Sequence, residues 1–313
     1  MSERALPSQV LLDFSNRKLL SPVPRKLFKS AKLYFTNREL ELLKTAYNVA
    51  FEAHKEQIRK DGSAYITHPV AVASILIELN LDIETVCAGL MHDVLEDSFI
   101  QKPYLEKLFG KDIVAIVDGV SNLNKLDFDS IEDRNANNLQ KMALAMSKDI
   151  RVIIVKLCDR LHNMRTIEFL PREKQITKSR ETLDLYGPIA IRIGMQNIRV
   201  ELEDLAFQCM HPMRARMLNS AIKQAVGGRQ KIISKLRKQF KYYLKNSEIS
   251  AIVQGRQKSL YSIYKKIKIK KKPFSEILDV YAFRVIVDSV DDAYRALGVI
   301  NNLHKPNAKK YKD

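Results

Sequence analysis

The stretch at residues 65–98, YITHPVAVASILIELNLDIETVCAGLMHDVLEDS, decides how the first part of the chain folds. Its apolar residues are almost continuous, which predicts two buried helices. Pro69 suits the first helical position of one helix, and Asp82 suits the N-cap of the next. The same stretch carries five groups that a protein core seldom holds: His68, His92, Asp93, Glu96 and Asp97. They either lie at the rim of the core or bind a ligand.

The composition indicates a folded protein with a substantial core. The chain has 313 residues, enough for two domains, and 46% of them are hydrophobic. No apolar run reaches the roughly 20 residues that a membrane span needs. Residues 1–34 lack the apolar core of a signal peptide and are interpreted as an N-terminal extension. Cys87, Cys158 and Cys209 are widely spaced in apolar segments, which predicts reduced thiols and a cytoplasmic location.

The net charge of +17 is not evenly spread along the chain. Residues 263–273, IYKKIKIKKKP, hold six lysines, and residues 304–313, HKPNAKKYKD, hold four more. Such patches attract polyanions, which include nucleic acids, acidic membrane surfaces and nucleotide polyphosphates. The charge alone does not choose among these partners.

Two patterns of hydrophobicity divide the chain. Helical periodicity predicts an all-helical domain at residues 35–215, and the polar, lysine-rich residues 216–246 are typical of a helical connector. After residue 247 the segments EISAIVQGR and VYAFRVIVDS are β-branched and alternating, and a helical segment follows each. That β-α-β-α order predicts a mixed α/β domain at residues 247–313. The predicted fold class is therefore mainly α.

Four side chains from three predicted helices make a candidate metal site. His92 and Asp93 are adjacent, His68 lies on the preceding helix, and Asp159 interrupts the apolar segment RVIIVKLCDRLHNM. An unpaired carboxylate would be costly in that segment. Two imidazoles and two carboxylates form a mixed nitrogen and oxygen set, which suits Mn, Fe or Zn better than Ca or Mg. A helix bundle can bring such ligands together in its interior.

Two more acids follow the His-Asp pair at helical spacing. Glu96 is four residues after His92, and Asp97 is four residues after Asp93, so both lie one turn further along the same face. From there they can hold or deprotonate water at the metal without ligating the metal. The pattern therefore predicts an acid or base role for both carboxylates.

Neutral and basic groups extend the candidate site. Asn163 lies four residues after Asp159, and Thr166 lies three residues further on, so they continue its helix face. The loop before the first metal-site histidine places Arg59 and Lys60 where an anionic substrate would meet them. The set as a whole predicts a site for an anionic substrate next to a metal.

Other polar residues are interpreted as structural. A histidine beside apolar residues is more often a hydrogen-bonded core or rim group than a ligand, and acids on helices are usually solvated. Tyr65 is assigned a structural role, and Cys158 has no obvious activating base, so it is not a predicted nucleophile. The ordinary role is assigned to the remaining histidines: His54, His162, His211 and His304.

Six segments, in this order, resemble the hydrolase half of the RelA/SpoT family of guanosine tetra- and pentaphosphate enzymes. They are RKDGSAYITHPVAVASIL, AGLMHDVLEDS, VDGVSNLNKL, KMALAMSKDIRVIIVKLCDRLHNMRT, YGPIAIRIGM and VELEDLAFQCMHP. The likeness covers roughly residues 35–313. It implies an all-helical HD domain that removes pyrophosphate from the 3′ position of ppGpp or pppGpp, giving GDP or GTP.

The resemblance also implies roles for individual residues. A Mn²⁺ ion would be bound by His68, His92, Asp93 and Asp159. Water would be activated by Glu96 and Asp97. The nucleotide pocket would be lined by Arg59, Lys60, Asn163 and Thr166, with Arg160 nearby.

The chain departs from the family pattern at two positions. Asp61 stands where the family usually has Ser, so a carboxylate faces the loop that would meet a polyanion. That carboxylate either weakens nucleotide binding or points away. Asn122 replaces a common Lys and removes a positive charge. Neither change affects the implied metal ligands, so the resemblance predicts an intact hydrolase.

The last part of the chain resembles the opening of the family's synthetase domain, a nucleotidyltransferase-like α/β domain that transfers pyrophosphate from ATP to GDP or GTP. By that resemblance Arg256, Lys258 and Lys266 would contact ATP phosphates, and Asp279 would hold Mg²⁺. The sequence ends at Asp313, before the family's guanine-stacking Tyr and catalytic Glu. An incomplete domain without synthetase activity is therefore predicted, and its exposed strand edge would permit an oligomer.

The expected partner is guanosine tetra- or pentaphosphate, with no membrane partner. Without the family's C-terminal regulatory domains, no nucleic acid or ribosome partner is expected. Two alternatives stay open. One is an HD phosphohydrolase of another nucleotide, which Asp61 and Asn122 motivate. The other is a non-catalytic basic regulator that binds nucleotide or RNA, which the net charge motivates.

Overall fold

The computed structural model describes residues 24–124, 148–227, 230–271 and 281–306. The chain divides into two compact units, Met1–Cys209 and Met210–Asp313. No helix in the described ranges is both long enough and apolar enough to span a membrane. The first unit is helical, and its elements in chain order are α1 (Arg25–Ala31), α2 (Asn37–Ala53), α3 (Thr67–Glu78), α4 (Ile83–Met91), α5 (Val94–Asp97), α6 (Lys102–Asn124), α7 (Ile150–Arg165), α8 (Arg172–Glu181), α9 (Gly187–Arg192) and α10 (Gln196–Met210).

Residues 65–98 form α3, α4 and α5; two helices are predicted, and the second one is interrupted at His92 and Asp93, so its last turn is the separate α5. α3 begins at Thr67, slightly earlier than expected, and Pro69 still lies in the first turn, where its missing N–H costs no intrahelical bond. Asp82 is the N-cap of α4 and accepts a hydrogen bond from the Thr85 N–H at 2.9 Å. Since every residue of α4 except Glu84 is buried, polar groups can emerge only at its end.

α4 lies at the centre of the first unit, in contact with α2, α3, α6 and α7. Two glycines permit this close packing. A side chain at Gly89 of α4 would collide with Leu76 of α3, and a side chain at Gly119 of α6 would collide with Val152 of α7. Burial of each large apolar side chain contributes about 1.5–3 kcal/mol. The packing therefore holds α3, α4 and α7 in fixed register, and their polar groups meet at one place.

In its described residues, the second unit contains two strands between helices. Its elements are α11 (Pro212–Gly227), α12 (Gln230–Asn246), β1 (Ala251–Gln257), α13 (Leu260–Lys270), β2 (Tyr281–Val287) and α14 (Val290–Leu303). β1 and β2 pair antiparallel, with Ala251 opposite Val287 and Gln257 opposite Tyr281. The mainly α fold class and the β-α-β-α order of this part are confirmed.

In the segment predicted as a connector, residues 216–246, the described residues 216–227 belong to α11 and residues 230–246 form α12. Phe240 and Leu244 of α12 are buried together with Val253 of β1 and Ala296 of α14. α12 is therefore part of the second unit's core rather than a free linker, because its apolar face has tertiary partners.

Candidate metal centre and adjoining cavity

Three of the four predicted metal ligands form a buried cluster. His68 lies in the first turn of α3, His92 directly follows α4, and Asp159 lies in α7. One ligand atom from each lies within 4.8 Å of the other two. The Oδ1 atom of Asp159 is 3.2 Å from His68 Nε2 and 3.9 Å from His92 Nε2. Two nitrogens and a carboxylate oxygen at these distances can enclose a divalent cation.

The fourth predicted ligand, Asp93, lies beside this cluster. Its Oδ2 atom is 3.0 Å from His92 Nε2 and 3.8 Å from His68 Nε2. The same oxygen accepts a hydrogen bond from the Tyr65 hydroxyl at 2.7 Å. Burial, followed by the charge of Asp93, raises the pKa of Tyr65, so its hydroxyl stays a donor. Tyr65, interpreted as structural from the sequence, therefore fixes the orientation of a predicted ligand.

The contacts of the two ring nitrogens of His92 are those expected of a metal ligand. Its Nδ1 atom is paired with the Gly89 carbonyl oxygen at 2.9 Å. Its Nε2 atom is buried, close to Asp93, yet not aligned for a hydrogen bond with any group in the described ranges. A ring held through one nitrogen, with the other turned toward carboxylates, has the arrangement of a metal-ligating histidine.

Burial and charge act in opposite directions on the ionisable groups. Burial is the largest influence on His92 and opposes its protonation, but Asp93 and Asp159 together raise its pKa to about 9. Burial likewise opposes ionisation of Asp93, and the charge of His92 overcomes it, so the pKa of Asp93 is lowered. Burial lowers the pKa of His68. The metal-free cluster therefore carries a proton on His92, and a bound cation would replace that charge.

Asp159 is held on both sides by residues of its own helix. Its Oδ2 atom accepts a hydrogen bond from Lys156 Nζ at 2.7 Å, and its Oδ1 atom accepts one from Asn163 Nδ2 at 2.5 Å. Burial opposes ionisation of Asp159, but Lys156 and the two histidines lower its pKa well below the usual value. Lys156 was missed from the sequence, although its spacing of three residues before Asp159 places both on one helix face.

His162 was also assigned an ordinary role, and the structure pairs it with a predicted ligand. The Nδ1 atoms of His162 and His68 are 2.8 Å apart, so one ring donates to the other. Burial, followed by the charge of His68, lowers the pKa of His162 to about 4, so His162 is neutral at neutral pH. When His68 is the donor, its Nε2 lone pair faces Asp159 and is available to a metal.

The two predicted acid or base residues lie on α5, one turn beyond the His-Asp pair. Glu96 is half-buried and Asp97 is exposed. Burial, followed by the charge of Asp93, raises the pKa of Asp97. The Asp97 carbonyl oxygen accepts a hydrogen bond from Gln57 Nε2 at 2.8 Å, which anchors this short helix. A carboxylate with a raised pKa is a better proton acceptor than an ordinary aspartate.

A cavity of about 250 Å³ is lined by most of the residues that are predicted to bind substrate. Arg59 Nη2 donates a hydrogen bond to Thr166 Oγ1 at 3.1 Å, which joins the loop before α3 to the end of α7. The cavity also shares Tyr65 and Asn163 with the metal cluster, because these residues bond Asp93 and Asp159. Its lining is Ile58, Arg59, Lys60, Asp61, Tyr65, Asn163, Thr166, Phe169 and Leu170.

Asp61 lines this cavity and also fixes the turn of its loop. Its Oδ1 atom accepts hydrogen bonds from the Ser63 N–H at 2.9 Å and the Ser63 hydroxyl at 2.6 Å. These bonds lower the pKa of Asp61, so the carboxylate is ionised. Between the two residues Gly62 has φ of 82°, a left-handed conformation that favours glycine. The departure from the family pattern thus places a structural negative charge at the cavity wall.

Arg160 does not line the cavity. Its guanidinium lies 4.1 Å from the centre of the Tyr186 ring, and Nη2 donates hydrogen bonds to the Tyr186 hydroxyl at 3.0 Å and to Glu181 at 3.1 Å. Neighbouring residues on a helix point about 100° apart, so Arg160 and Asp159 face different sides of α7. Arg160 thus contacts a π-helical turn, Thr182–Tyr186, rather than the predicted nucleotide pocket.

The residues predicted for the second domain are only partly described. Arg256 lies on β1, Lys258 directly follows that strand, and Lys266 lies on α13. Asp279 lies outside the described residues. The ATP and Mg²⁺ roles of these four residues stay predictions.

Two family profiles match the chain in succession. The HD domain profile matches residues 46–196, and the profile of a region found in RelA / SpoT proteins matches residues 255–313. The guanosine-3′,5′-bis(diphosphate) 3′-pyrophosphohydrolase of Vibrio cholerae is 45% identical over 283 residues, 90% of this chain. The chain belongs to the RelA/SpoT family. The family and its HD domain, predicted from the sequence, are thereby confirmed.

Two further relatives place this RelA/SpoT chain among longer proteins. A protein of the same name from Haemophilus influenzae is 48% identical over 265 residues, 85% of this chain and 39% of the relative. The bifunctional (p)ppGpp synthase/hydrolase SpoT of Escherichia coli is 45% identical over 280 residues, 90% of this chain. The chain spans about 40% of the length of the Vibrio and Escherichia relatives.

Proposed function

We propose that the first unit hydrolyses guanosine tetra- and pentaphosphate at the 3′ position, releasing pyrophosphate and leaving GDP or GTP. The names of the Vibrio and Haemophilus relatives describe this reaction. The observation that carries the proposal is the continuity of the cavity with the His/Asp cluster. Tyr65 and Asn163 line the cavity and also bond Asp93 and Asp159. A substrate in the cavity would therefore present a phosphate next to the cluster.

We further propose Mn²⁺ as the metal, held by the two histidines and two aspartates of the predicted set. Mixed nitrogen and oxygen donors support this choice over Mg²⁺, which prefers oxygen ligands. When bound, the cation would polarise a phosphoryl oxygen and increase the acidity of nearby water. The residues in question are His68, His92, Asp93 and Asp159.

The chain's own residues supply the remaining chemistry. Arg59 and Lys60 neutralise the polyphosphate, and Asn163 and Thr166 orient it through hydrogen bonds. Asp97, whose pKa is raised, takes a proton from water, with Glu96 beside it on α5. The water oxygen joins the phosphorus next to the ribose, the bond from that phosphorus to the 3′ oxygen breaks, and the 3′ oxygen leaves with a proton.

The test is incubation of the purified chain with ppGpp and Mn²⁺, with GDP and pyrophosphate measured separately. We expect both products in equal amounts and none in EDTA. Asp93→Asn should abolish metal-dependent turnover, whereas Asp112→Asn, at an exposed position of α6, should retain it. Failure of a folded, Mn²⁺-binding chain to cleave ppGpp would contradict the proposal.

A second candidate is hydrolysis of a nucleotide with fewer phosphates, and Asp61 favours it. The ionised Asp61 carboxylate lies on the same cavity wall as Arg59 and Lys60, so it reduces the positive charge offered to a polyphosphate. Parallel assays with ppGpp, GTP and dGTP distinguish the candidates. Cleavage of GTP or dGTP without cleavage of ppGpp would support this second function and exclude the first.

A further inference from the structure

The net charge of the chain lies entirely in its second unit. Residues 1–209 contain 29 Lys and Arg and 29 Asp and Glu, whereas residues 210–313 contain 24 and 7. The second unit therefore carries the whole charge of +17. A compositional drift toward lysine would act on both units, so it does not account for this difference. A basic charge confined to one compact unit is the electrostatic footprint of a polyanion-binding surface.

α12 concentrates this charge on one face. It has 17 residues and no acidic side chain. Its apolar face is buried through Phe240 and Leu244. At 100° per residue, four of its six basic positions fall within roughly 80° of the helix circumference on the opposite side, and the exposed Lys241 lies about 40° beyond them. These four exposed residues are Lys231, Lys235, Lys238 and Lys245, and we call them the lysine stripe.

The lysine stripe has no ion-pair partner within the described part of the second unit. Lysines three and four positions apart on a helix repel each other, so the stripe opposes the stability of α12. Arg237, on another side of the helix, is tied to the Val253 carbonyl oxygen at 3.3 Å and is not part of the stripe. An anion with regularly spaced charges would relieve the repulsion along the whole stripe.

An exposed aromatic ring lies within the stripe. Tyr242 is four residues after Lys238 and three before Lys245, and it is 61% exposed. Tyr243 beside it is 40% exposed, and the two ring centres are 5.4 Å apart. Aromatic rings among lysines are the surface on which single-stranded nucleic acids stack their bases. Tyrosine hydroxyls can also bond the ribose 2′ hydroxyl of RNA.

We propose that the lysine stripe and Tyr242 bind single-stranded RNA. An acidic membrane is the other polyanion of comparable size, but a helix that lies on a membrane must insert its apolar face. The apolar face of α12 is already occupied by the core of the second unit. The proposal departs from the prediction that no nucleic acid partner exists, and it does not depend on the hydrolase site.

The experiment is a titration of the full chain with a fluorescently labelled oligouridine of about 20 nucleotides, a length that exceeds the site size of most single-strand binders. Binding is measured by anisotropy over a series of salt concentrations. Each phosphate neutralised by the stripe contributes roughly −0.7 to the slope of log K against log salt. The stripe variant replaces four lysines with Gln, and we expect at least about tenfold weaker binding and a slope less steep by about 3.

A matched control separates the stripe from total charge. The control variant removes four exposed lysines of the first unit and should bind like the wild type; these are Lys26, Lys29, Lys107 and Lys111. Equal loss in the stripe and control variants would overturn the proposal. So would binding to anionic phosphatidylglycerol vesicles without binding to the oligouridine.

Tyr242→Ala tests the stacking part of the proposal. We expect at least about fivefold weaker binding with an unchanged salt slope, since stacking does not release counterions. Unchanged affinity would show attraction by charge alone and would overturn the assignment. Tighter binding to oligodeoxythymidine of equal length would likewise overturn the assignment to RNA.

Discussion

Charged residues are arranged in opposite ways in the two units. In the first unit the numbers of acids and bases are equal, and charges that reach the interior are paired, as Lys156 is with Asp159 and Arg199 is with Glu203. In the second unit bases outnumber acids by 24 to 7, and the lysine stripe of α12 faces solvent. Burial strengthens the attraction between fixed partners, whereas exposure leaves charges free to attract a distant polyanion.

This difference follows from where the helices place their polar groups. α4 and α7 are mostly buried, so a charge on them must find a partner within the core. α12 buries only one face, so its lysines remain in water at little cost. Charged residues therefore form a site of fixed geometry in the first unit and an extended positive electrostatic potential at the surface of the second.

Removal of Lys156 tests whether the buried charges of the first unit depend on their partners. Lys156→Met should lower the free energy of unfolding by about 3–5 kcal/mol in EDTA, because it removes the cation that is hydrogen-bonded to the buried Asp159. Mn²⁺ should reduce that loss, since a metal would again partner the carboxylate. Urea unfolding with and without Mn²⁺ measures both effects. Lys107→Met, at an exposed site, is the control, and equal losses in the two variants would contradict the account.

The metal-free cluster should also make stability depend on pH. The pKa of His92 is raised from 6.5 to about 9, so its protonated form stabilises the folded state fully below pH 6.5. That contribution is lost as the pH rises through about 9. The pKa values of His68 and His162 are lowered, so they remove stability as the pH falls below 6.5 instead.

Urea unfolding in EDTA checks this pH dependence. Between pH 6.5 and about 9 the wild type should lose stability, and His92→Gln should lose much less. Parallel curves for the two proteins over that range would show that His92 is not the titrating group.

Substitution of two arginines of the first unit should have smaller effects, one on KM and the other on stability. Arg59 lines the cavity, so Arg59→Met should raise KM for ppGpp about tenfold or more, through the loss of a charged hydrogen bond. Arg160→Met should leave KM unchanged and lower stability by about 1–3 kcal/mol, because Arg160 contacts Tyr186 and Glu181. Steady-state kinetics give the KM of both variants, and urea unfolding gives their stability. A rise in KM for Arg160→Met would instead indicate that Arg160 contacts the substrate.

The smallest expected change in stability comes from a Lys→Glu substitution, which we compare between the two units. Lys238→Glu should stabilise the second unit by about 0.2–0.5 kcal/mol per relieved lysine pair, and roughly 1 M salt should remove the gain. Lys102→Glu should instead destabilise the first unit, because Lys102 is paired with Asp118 at 2.9 Å. Thermal unfolding monitored by circular dichroism gives the sign of each change. Destabilisation by Lys238→Glu would mean that the lysine stripe has partners of its own.

Spacing along α7 explains which site residues were predictable from the sequence. Asn163 and Thr166 follow Asp159 by four and seven residues, so a helix places them on one face, and both line the cavity. Lys156 and His162 share that face, at three residues before and after Asp159, and the same rule identifies them. Arg160 is adjacent to Asp159 and so faces another side.

Other parts of the site could not be read from the sequence. The bond from Tyr65 to Asp93 joins residues 28 positions apart, and it depends on how α3 and α4 pack. The convergence of His68 and His92 on Asp159 likewise depends on the close contact at Gly89. Helical periodicity predicts which face is buried, but not which partner it meets.

The most direct test of the metal centre is Mn²⁺ binding itself, measured from the electron paramagnetic resonance signal of the free ion. We expect one Mn²⁺ bound to each wild-type chain and loss of that binding in His92→Gln. His304→Gln, which changes a histidine of the second unit, should bind like the wild type. Equal Mn²⁺ binding by wild type and His92→Gln would contradict the claim that the buried charges of the first unit form a metal site.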